Sequence, residues 1–435
     1  MTTYHCPQDG TRSPTSALTW RCPVCRGPWN LDFRPPPGLT LNVLPGRANS
    51  LWRYEENLPL SAPEVSLGEG RTPLVPLTHS VSAKLDYLMP TLSFKDRGAV
   101  MLVELARRLN PDRVVADSSG NAGTSIAAYC ARAALPCTVY VPEGTSPKKT
   151  EQIRAHGARL VTIPGGREAT ALAARAAADE PGVFYASHVF NPYFLHGTKT
   201  YVYELWEDLG GRLPDTLVVP VGNGTLLLGA ALATEELYAL GLITTRPRLV
   251  AVQAEAVSPL ASAFGAGAED LVADGGAAAA GEAARGDLRV GLGAAGPAEA
   301  APGDLLGAAG PGEAAPGDLL GAAGPGEAAP GDLSVGLGAA ASAEAAPTLA
   351  EGIAIPRPPR ARQILAAVRA SGGTFLTVTE DQIRDAQRDL AARGFYVETT
   401  GVACWAAVRD GAAHRPPGSV VVPLCGAGVK TGMAG

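Results

Sequence analysis

Residues 114–142 read VVADSSGNAGTSIAAYCARAALPCTVYVP, and this stretch decides the fold. VVAD (114–117) is a short apolar run and predicts a strand. NAGTSIAAYCARAAL (121–135) predicts a helix, and CTVYVP (137–142) a second strand. The alternation continues downstream. SPKKTEQIRAHG (146–157) and REATALAARAAA (167–178) predict helices, while RLVTIP (159–164), VFYAS (183–187), DTLVVPVG (215–222) and RLVAVQAE (248–255) predict strands. NPYFLHGTKTYVYELWEDL (191–209) predicts one long helix. This βαβα rhythm implies an α/β fold: parallel sheets covered by helices on both faces, in three layers (αβα). In such sheets ligands gather at the carboxyl ends of the strands.

The chain has 435 residues, 46% of them hydrophobic, which is enough for two packed domains. Its net charge of −6 gives no basic field for nucleic acid. No run approaches the roughly 18–20 apolar residues that span a bilayer. The opening MTTYHCPQDG lacks the charged and apolar regions of a signal peptide. Seven cysteines argue against a disulfide framework, so a reduced, cytoplasmic protein is expected.

Residues 266–347 differ from the rest. A 14-residue unit starts at Gly293 (GAAGPAEAAPGDLL), Gly307 (GAAGPGEAAPGDLL) and Gly321 (GAAGPGEAAPGDLS). With almost no aromatic or β-branched content it cannot bury enough apolar surface to offset chain entropy. A disordered Gly/Ala/Pro repeat insertion is expected, as a solvated tether or a partner-binding segment. It carries a charge of −10, leaving +4 on the remainder. A mildly positive body suits an anionic cofactor and anionic substrates.

Three strand–turn–helix or strand–turn junctions carry chemistry. DSSGNAGTS (117–125) crowds polar groups and backbone N–H donors at a helix start, an environment for a carboxylate. VVPVGNGTLLLGA (218–230) exposes the amides of Gly222 and Gly224 at another helix start and can wrap a phosphate. VVVPLCGAGVKTG (420–432) brings Cys425 to the end of a strand. LSFKDRG (92–98) places Lys95, one of six lysines, just before a helical run (AVMLVELARRL). A lysine amine can hold a carbonyl cofactor such as pyridoxal 5′-phosphate as a Schiff base.

Taken in order, these motifs resemble the fold-type II family of pyridoxal-phosphate enzymes, and most of all its threonine synthase branch. LGEGRTPL (67–74), MPTLSFKDRG (89–98), SSGNAG (118–123), GNGT (222–225), VETTGVA (397–403) and LCGAGVK (424–430) carry the likeness, over about residues 50–265 and 348–432. The resemblance implies two αβα domains with the cofactor in the cleft between them, the smaller roughly 96–200 inserted in the larger, and a catalytic body of 50–265 with 348–435. It implies Lys95 as the Schiff-base lysine and catalytic base. Asn121 would contact the ring oxygen, Gly222, Asn223, Gly224 and Thr225 would hold the phosphate, and Cys425 would face the pyridine nitrogen. Ser119, Gly120, Asn121 and Ala122 would hold the substrate carboxylate.

At the amino terminus, 1–34 resembles a degenerate zinc ribbon, with Cys6, Cys22 and Cys25 as metal ligands and Asp9 or His5 to supply a fourth. A metal-free ribbon is the other reading. Trp20 and Trp29 are expected to pack this unit onto the body.

Two departures bear on the reaction. Threonine synthases carry an arginine in an NPxR segment that grips a substrate phosphate; NPYF (191–194) has Phe194 there. Lys199, Arg97 or another group would have to compensate. Cys425 stands where the family has Ser or Thr, and some serine/threonine dehydratases have a cysteine. The expected activity is elimination or replacement on a small amino acid: threonine synthase-like conversion of O-phosphohomoserine to threonine and phosphate, or a serine/threonine ammonia-lyase giving a 2-oxo acid. A non-catalytic decayed member is the alternative of another class. The resemblance also implies a homodimer.

Overall fold

The structure, a computed structural model, describes residues 2–118, 120–145, 147–271, 348–409 and 416–434, with the backbone alone at Lys148 and Lys149. Ser119 and residues 272–347 of the expected insertion lie outside the described residues.

In chain order the elements are β1 (Thr3–His5), β2 (Arg12–Pro14), β3 (Asn30–Asp32), β4 (Leu74–Pro76), β5 (Val81–Lys84), α1 (Lys95–Leu109), β6 (Arg113–Ala116), α2 (Asn121–Arg132), β7 (Cys137–Pro142), α3 (Pro147–Ala155), β8 (Arg159–Ile163) and α4 (Arg167–Ala178). They continue with β9 (Val183–Tyr185), α5 (Tyr193–Thr198), α6 (Thr200–Asp208), β10 (Thr216–Pro220), α7 (Thr225–Ala239), β11 (Arg248–Ala254), α8 (Pro259–Gly265), α9 (Ala361–Ala370), β12 (Thr374–Val378), α10 (Glu380–Ala392), α11 (Thr399–Val408) and β13 (Val420–Pro423).

Two sheets form the body. The larger has the order β12-β11-β10-β13-β5-β4, parallel except for the edge pair β4–β5. The smaller, β8-β7-β6-β9, is wholly parallel. Strands β10 and β13 are buried along their whole length, as apolar strands covered on both faces must be. Successive residues point opposite ways. Leu217 and Val219 of β10 pack with Leu226 and Leu227 of α7 and Ile364 and Leu365 of α9. Val218 faces the other layer, with Ile383 and Leu390 of α10 and Val402 of α11. In the smaller sheet Val114 packs toward α1 and α2, and Val115 toward Ala174 and Ala178 of α4.

The predicted helix over 191–209 is two helices that meet at Lys199. The hydroxyls of Thr198 and Thr200 donate to the carbonyls of Leu195 (3.1 Å) and Gly197 (2.7 Å), competing with the helical ladder. Val202 N–H then bonds Lys199 O at 3.0 Å, a tightened i→i+3 turn. Gly197 lies so close to α1 that a Cβ there would fall 1.9 Å from the Arg97 carbonyl oxygen.

Strands β2, β1 and β3 make a small antiparallel sheet at the amino terminus. Trp29 stacks on Tyr4 at 5.8 Å, and Trp20 meets Tyr185 and Phe190 edge-on at 5.1 and 5.0 Å. Both tryptophans thus dock this sheet onto the body, as expected. Buried Arg360 fastens the junction, donating to the carbonyls of Trp29 (2.6 Å) and Val189 (2.7 Å). No helix among the described residues is long and apolar enough to cross a membrane.

Candidate functional site

Lys95 is the first residue of α1, reached through a turn that pairs Ser93 with Gly426. Leu92 in that turn has φ +64°, a left-handed conformation costing a branched side chain of order 1 kcal/mol. The turn is locked from both sides. Phe94 N–H donates to Cys425 O (2.9 Å), and Ala427 N–H to Leu92 O (3.0 Å). Among the described residues no hydrogen bond or ion pair reaches the Lys95 amine. It lies 4.4 Å from the centre of the Phe94 ring and 5.7 Å from that of Phe194. Burial pulls its pKa down to about 8; Cys425 and Glu398 pull partly the other way, and Arg167 adds to the fall.

The GNGT turn follows β10, the strand beside β13. Gly224 caps α7 with φ +73°, and a Cβ there would fall 2.3 Å from Ile364 Cδ1. At Gly222 a Cβ would lie 2.9 Å from Ile353 Cα. Gly222 is therefore required by its close approach to backbone, and Gly224 by its conformation. The N–H groups of Asn223 through Leu227 find no acceptor among the described residues, as expected of a helix start. Cys425 is fully buried, and burial holds its thiol well above the ordinary value.

At the third junction Gly120 caps α2, with Asn121 and Ala122 its first residues. Asn121 is already bonded at both ends. Its Nδ2 donates to Glu398 Oε2 (2.9 Å) and Oε1 (3.1 Å), and its Oδ1 accepts from Lys430 Nζ (2.9 Å). A Cβ at Gly426 would lie 2.4 Å from the Glu398 carboxyl, so a side chain there would displace the group that Asn121 holds.

His188 was not singled out from the sequence. Its Nε2 lies 3.4 Å from Asn223 Nδ2, and its ring meets Phe194 edge-on at 5.7 Å. Burial, then the charges of Lys95 and Arg167, hold the imidazole well below its ordinary pKa, so it is neutral at pH 7. Glu398 was quoted within a motif but given no role. Neither residue carries a local signal; both matter through partners far away in sequence.

The two cations considered as substitutes for an NPxR arginine are committed elsewhere. Arg97 bonds Asp86 (2.8 and 2.9 Å) and Glu204 (2.6 and 2.9 Å), all fully buried. Lys199 pairs with Glu236 at 2.8 Å. Neither is available to a substrate phosphate. Phe194 is fully buried, its ring so close to Gly98 that a Cβ there would lie 2.4 Å from it. Arg167, exposed at the start of α4, is a cation whose charge reaches both Lys95 and His188. A surface hollow lined by His79, Ser80, Pro416 and Gly418 lies at the amino ends of β5 and β13, the opposite edge from Lys95. At the amino terminus Cys6, Cys22 and Cys25 come together with Asp9, and His5 is not among them.

Comparison with known proteins supplies independent findings. The sequence pattern of the family described as pyridoxal-phosphate dependent enzyme matches residues 65–292 and 324–426. The threonine synthase of Methanosarcina acetivorans is 26% identical over 93% of this chain and 86% of its own length. That of Methanocaldococcus jannaschii is 32% identical over 52% of this chain and 58% of its own, and that of Mycobacterium tuberculosis 35% over 52% and 64%. The last two matches thus span under two thirds of those relatives. Among solved structures, maize serine racemase superposes with a TM-score of 0.58 at 17% identity, covering 83% of this chain and 90% of that one. A fungal L-serine ammonia-lyase from Rhizomucor miehei gives 0.57 at 16% identity, covering 82% and 94%. At these identities the likeness establishes the fold.

Proposed function

The chain belongs to the pyridoxal-phosphate dependent enzyme family, and from that premise we propose that it eliminates or replaces a group on the side chain of a small amino acid. The leading reading is threonine synthase-like, O-phosphohomoserine to threonine and phosphate. Its relatives named threonine synthase support it. The observation that carries the chemistry is the Lys95 amine, set at the carboxyl edge of the larger sheet beside Phe94 and Phe194 with no hydrogen-bond or ion-pair partner among the described residues.

The residues fit the cofactor. A reactive amine, an amide-lined turn pressed too close for any side chain at Gly222, and a buried neutral thiol at Cys425 gather where β10, β13 and α1 meet. When bound, pyridoxal phosphate supplies an electrophilic carbon for the substrate amine and a conjugated sink for electrons released at the α-carbon. Lys95 Nζ is the covalent anchor and, once displaced, the base that takes the α-proton. A pKa near 8 leaves a usable neutral fraction at pH 7, where an ordinary lysine has almost none. Gly222, Asn223, Gly224 and Thr225 hold the phosphate with backbone N–H groups and the start of α7. Gly120, Asn121 and Ala122, with Ser119 outside the described residues, hold the substrate carboxylate. Glu398 and Lys430 orient the Asn121 amide. Phe94 and Phe194 keep water from the amine.

A second reading, a serine/threonine ammonia-lyase, is favoured by one observation: the buried cations Arg97 and Lys199 are neutralised by their own carboxylates. Under the first reading Arg167 takes the substrate phosphate; under the second no such cation is needed. Steady-state assays separate them. Inorganic phosphate with threonine from O-phosphohomoserine supports the first. Ammonia with a 2-oxo acid from threonine or serine supports the second and overturns the first. A homodimer belongs to the same proposal, and sedimentation velocity tests it.

A further inference from the structure

The amino-terminal sheet contains two turns built alike. In Cys6-Pro-Gln-Asp9-Gly10-Thr11, Cys6 N–H donates to Thr11 O (2.8 Å) and Gly10 N–H to Cys6 O (3.1 Å). In Cys22-Pro-Val-Cys25-Arg26-Gly27, Cys22 N–H donates to Gly27 O (3.0 Å) and Arg26 N–H to Cys22 O (3.0 Å). The fifth residue is left-handed in both, Gly10 at φ +75° and Arg26 at φ +61°. Asp9 therefore occupies in the first turn the place of Cys25 in the second. The turns face each other. One ligand atom from each of Cys6, Asp9, Cys22 and Cys25 lies within 4.8 Å of all the rest. Cys6 Sγ is 3.3 Å from Cys25 Sγ, and Cys22 Sγ is 3.2 Å from Asp9 Oδ2. Zinc bonds of about 2.0–2.3 Å give tetrahedron edges of roughly 3.3–3.8 Å. The N–H groups of Gln8 and Gly27 point at the sulfurs of Cys6 and Cys25 at 3.4 Å each.

We propose that these four residues form a closed structural zinc site with Asp9 as the fourth ligand, and that the ion clamps the sheet against residues 189–193 of the body. Each of the three thiols releases its proton to solvent as its sulfur binds, and no electron is transferred. The clamp follows from the docking contacts. Trp29 N–H donates to Phe190 O at 3.1 Å, and Tyr4, stacked on Trp29, meets Tyr193 edge-on at 6.3 Å. Arg360 ties the Trp29 and Val189 carbonyls together. His188 and Phe194 flank the clamped segment, so the ion steadies residues beside Lys95 without touching them.

The test uses the full chain, kept reduced. Elemental analysis is expected to find one zinc per chain. Cobalt(II) exchange is expected to give intense tetrahedral d–d bands with sulfur charge-transfer bands. Asp9→Ala, at an exposed position, weakens metal affinity at least about tenfold. Asp9→Cys keeps the stoichiometry and adds sulfur charge-transfer intensity. Removing the metal speeds amide exchange in 187–194 at least about tenfold, while β10 is unchanged. Metal below about 0.1 per chain after anaerobic reconstitution, or a Cys6–Cys25 disulfide in the reduced protein, overturns the site. An unaltered cobalt spectrum and affinity in Asp9→Ala removes Asp9 as a ligand. Unchanged exchange in 187–194 removes the clamp.

Discussion

Lys95 and Arg97 stand two residues apart on the first turn of α1, yet they occupy opposite electrostatic worlds. Lys95 faces the carboxyl edge of the larger sheet, with aromatic rings for neighbours and no carboxylate partner among the described residues. Arg97 points into a buried network of Asp86, Glu204 and Lys84. Burial pulls both cations down. At Lys95 little opposes it, and the pKa falls to about 8. At Arg97 the two carboxylates override it and hold the guanidinium well above its ordinary value. A reactive charge is one the fold leaves unpaired; a structural charge is one it pairs completely.

That contrast can be broken from either side. Lys95→Ala is expected to abolish the visible absorbance of protein-linked cofactor and to lower kcat at least about a thousandfold, while leaving thermal stability nearly unchanged. Retention of the band would remove Lys95 from the chemistry. Arg97→Met should do the reverse. It leaves buried Asp86 and Glu204 short of a partner and costs about 3–5 kcal/mol of stability, read by denaturant titration.

The network also has an acid limit. Burial alone would raise the Glu204 carboxyl, but Arg97 and Lys84 hold it down to about 2 against an ordinary 4.5. A depressed carboxyl contributes stability that is full above about pH 4.5 and lost as pH falls toward 2. Denaturant midpoints measured across that window should fall more steeply in the parent than in Glu204→Gln.

The Lys95 amine has a basic limit instead. Cofactor capture by the apoenzyme needs the neutral amine. Its rate should climb about tenfold per pH unit below 8 and level off above, in stopped-flow absorbance. A plateau already reached at pH 6, or a rise continuing past 10, would contradict the lowered pKa. The smallest effect sharpens the choice of substrate. Arg167→Ala should raise KM for O-phosphohomoserine about fivefold and leave KM for threonine alone, because an exposed charge is heavily screened. Equal KM changes for both would remove Arg167 from phosphate binding.

Much of the fold was legible in the chain. β7 (137–142) and α4 (167–178) lie where the apolar pattern places them, because strand and helix periods are local properties. The expected single helix over 191–209 was not: its pattern is helical throughout, but two threonine hydroxyls and the close approach of α1 break the ladder at Lys199. At the site, the glycines at 222 and 224 announce a turn, which approaches backbone at Gly222 and is left-handed at Gly224. His188, Glu398 and Lys430 announce nothing. Asn121 reaches Glu398 across 277 residues and Lys430 across 309, and no local pattern encodes such a meeting.

The sequence by itself determined the alternation of strands and helices, the lysine at a helix start and the glycine turn, since each depends on neighbours within a few residues. Tertiary structure decided which charges are spent on one another, that Asp9 rather than His5 joins the three cysteines, and which side chains surround the amine. Ion pairing, burial and ligand geometry depend on distances that only the folded chain sets.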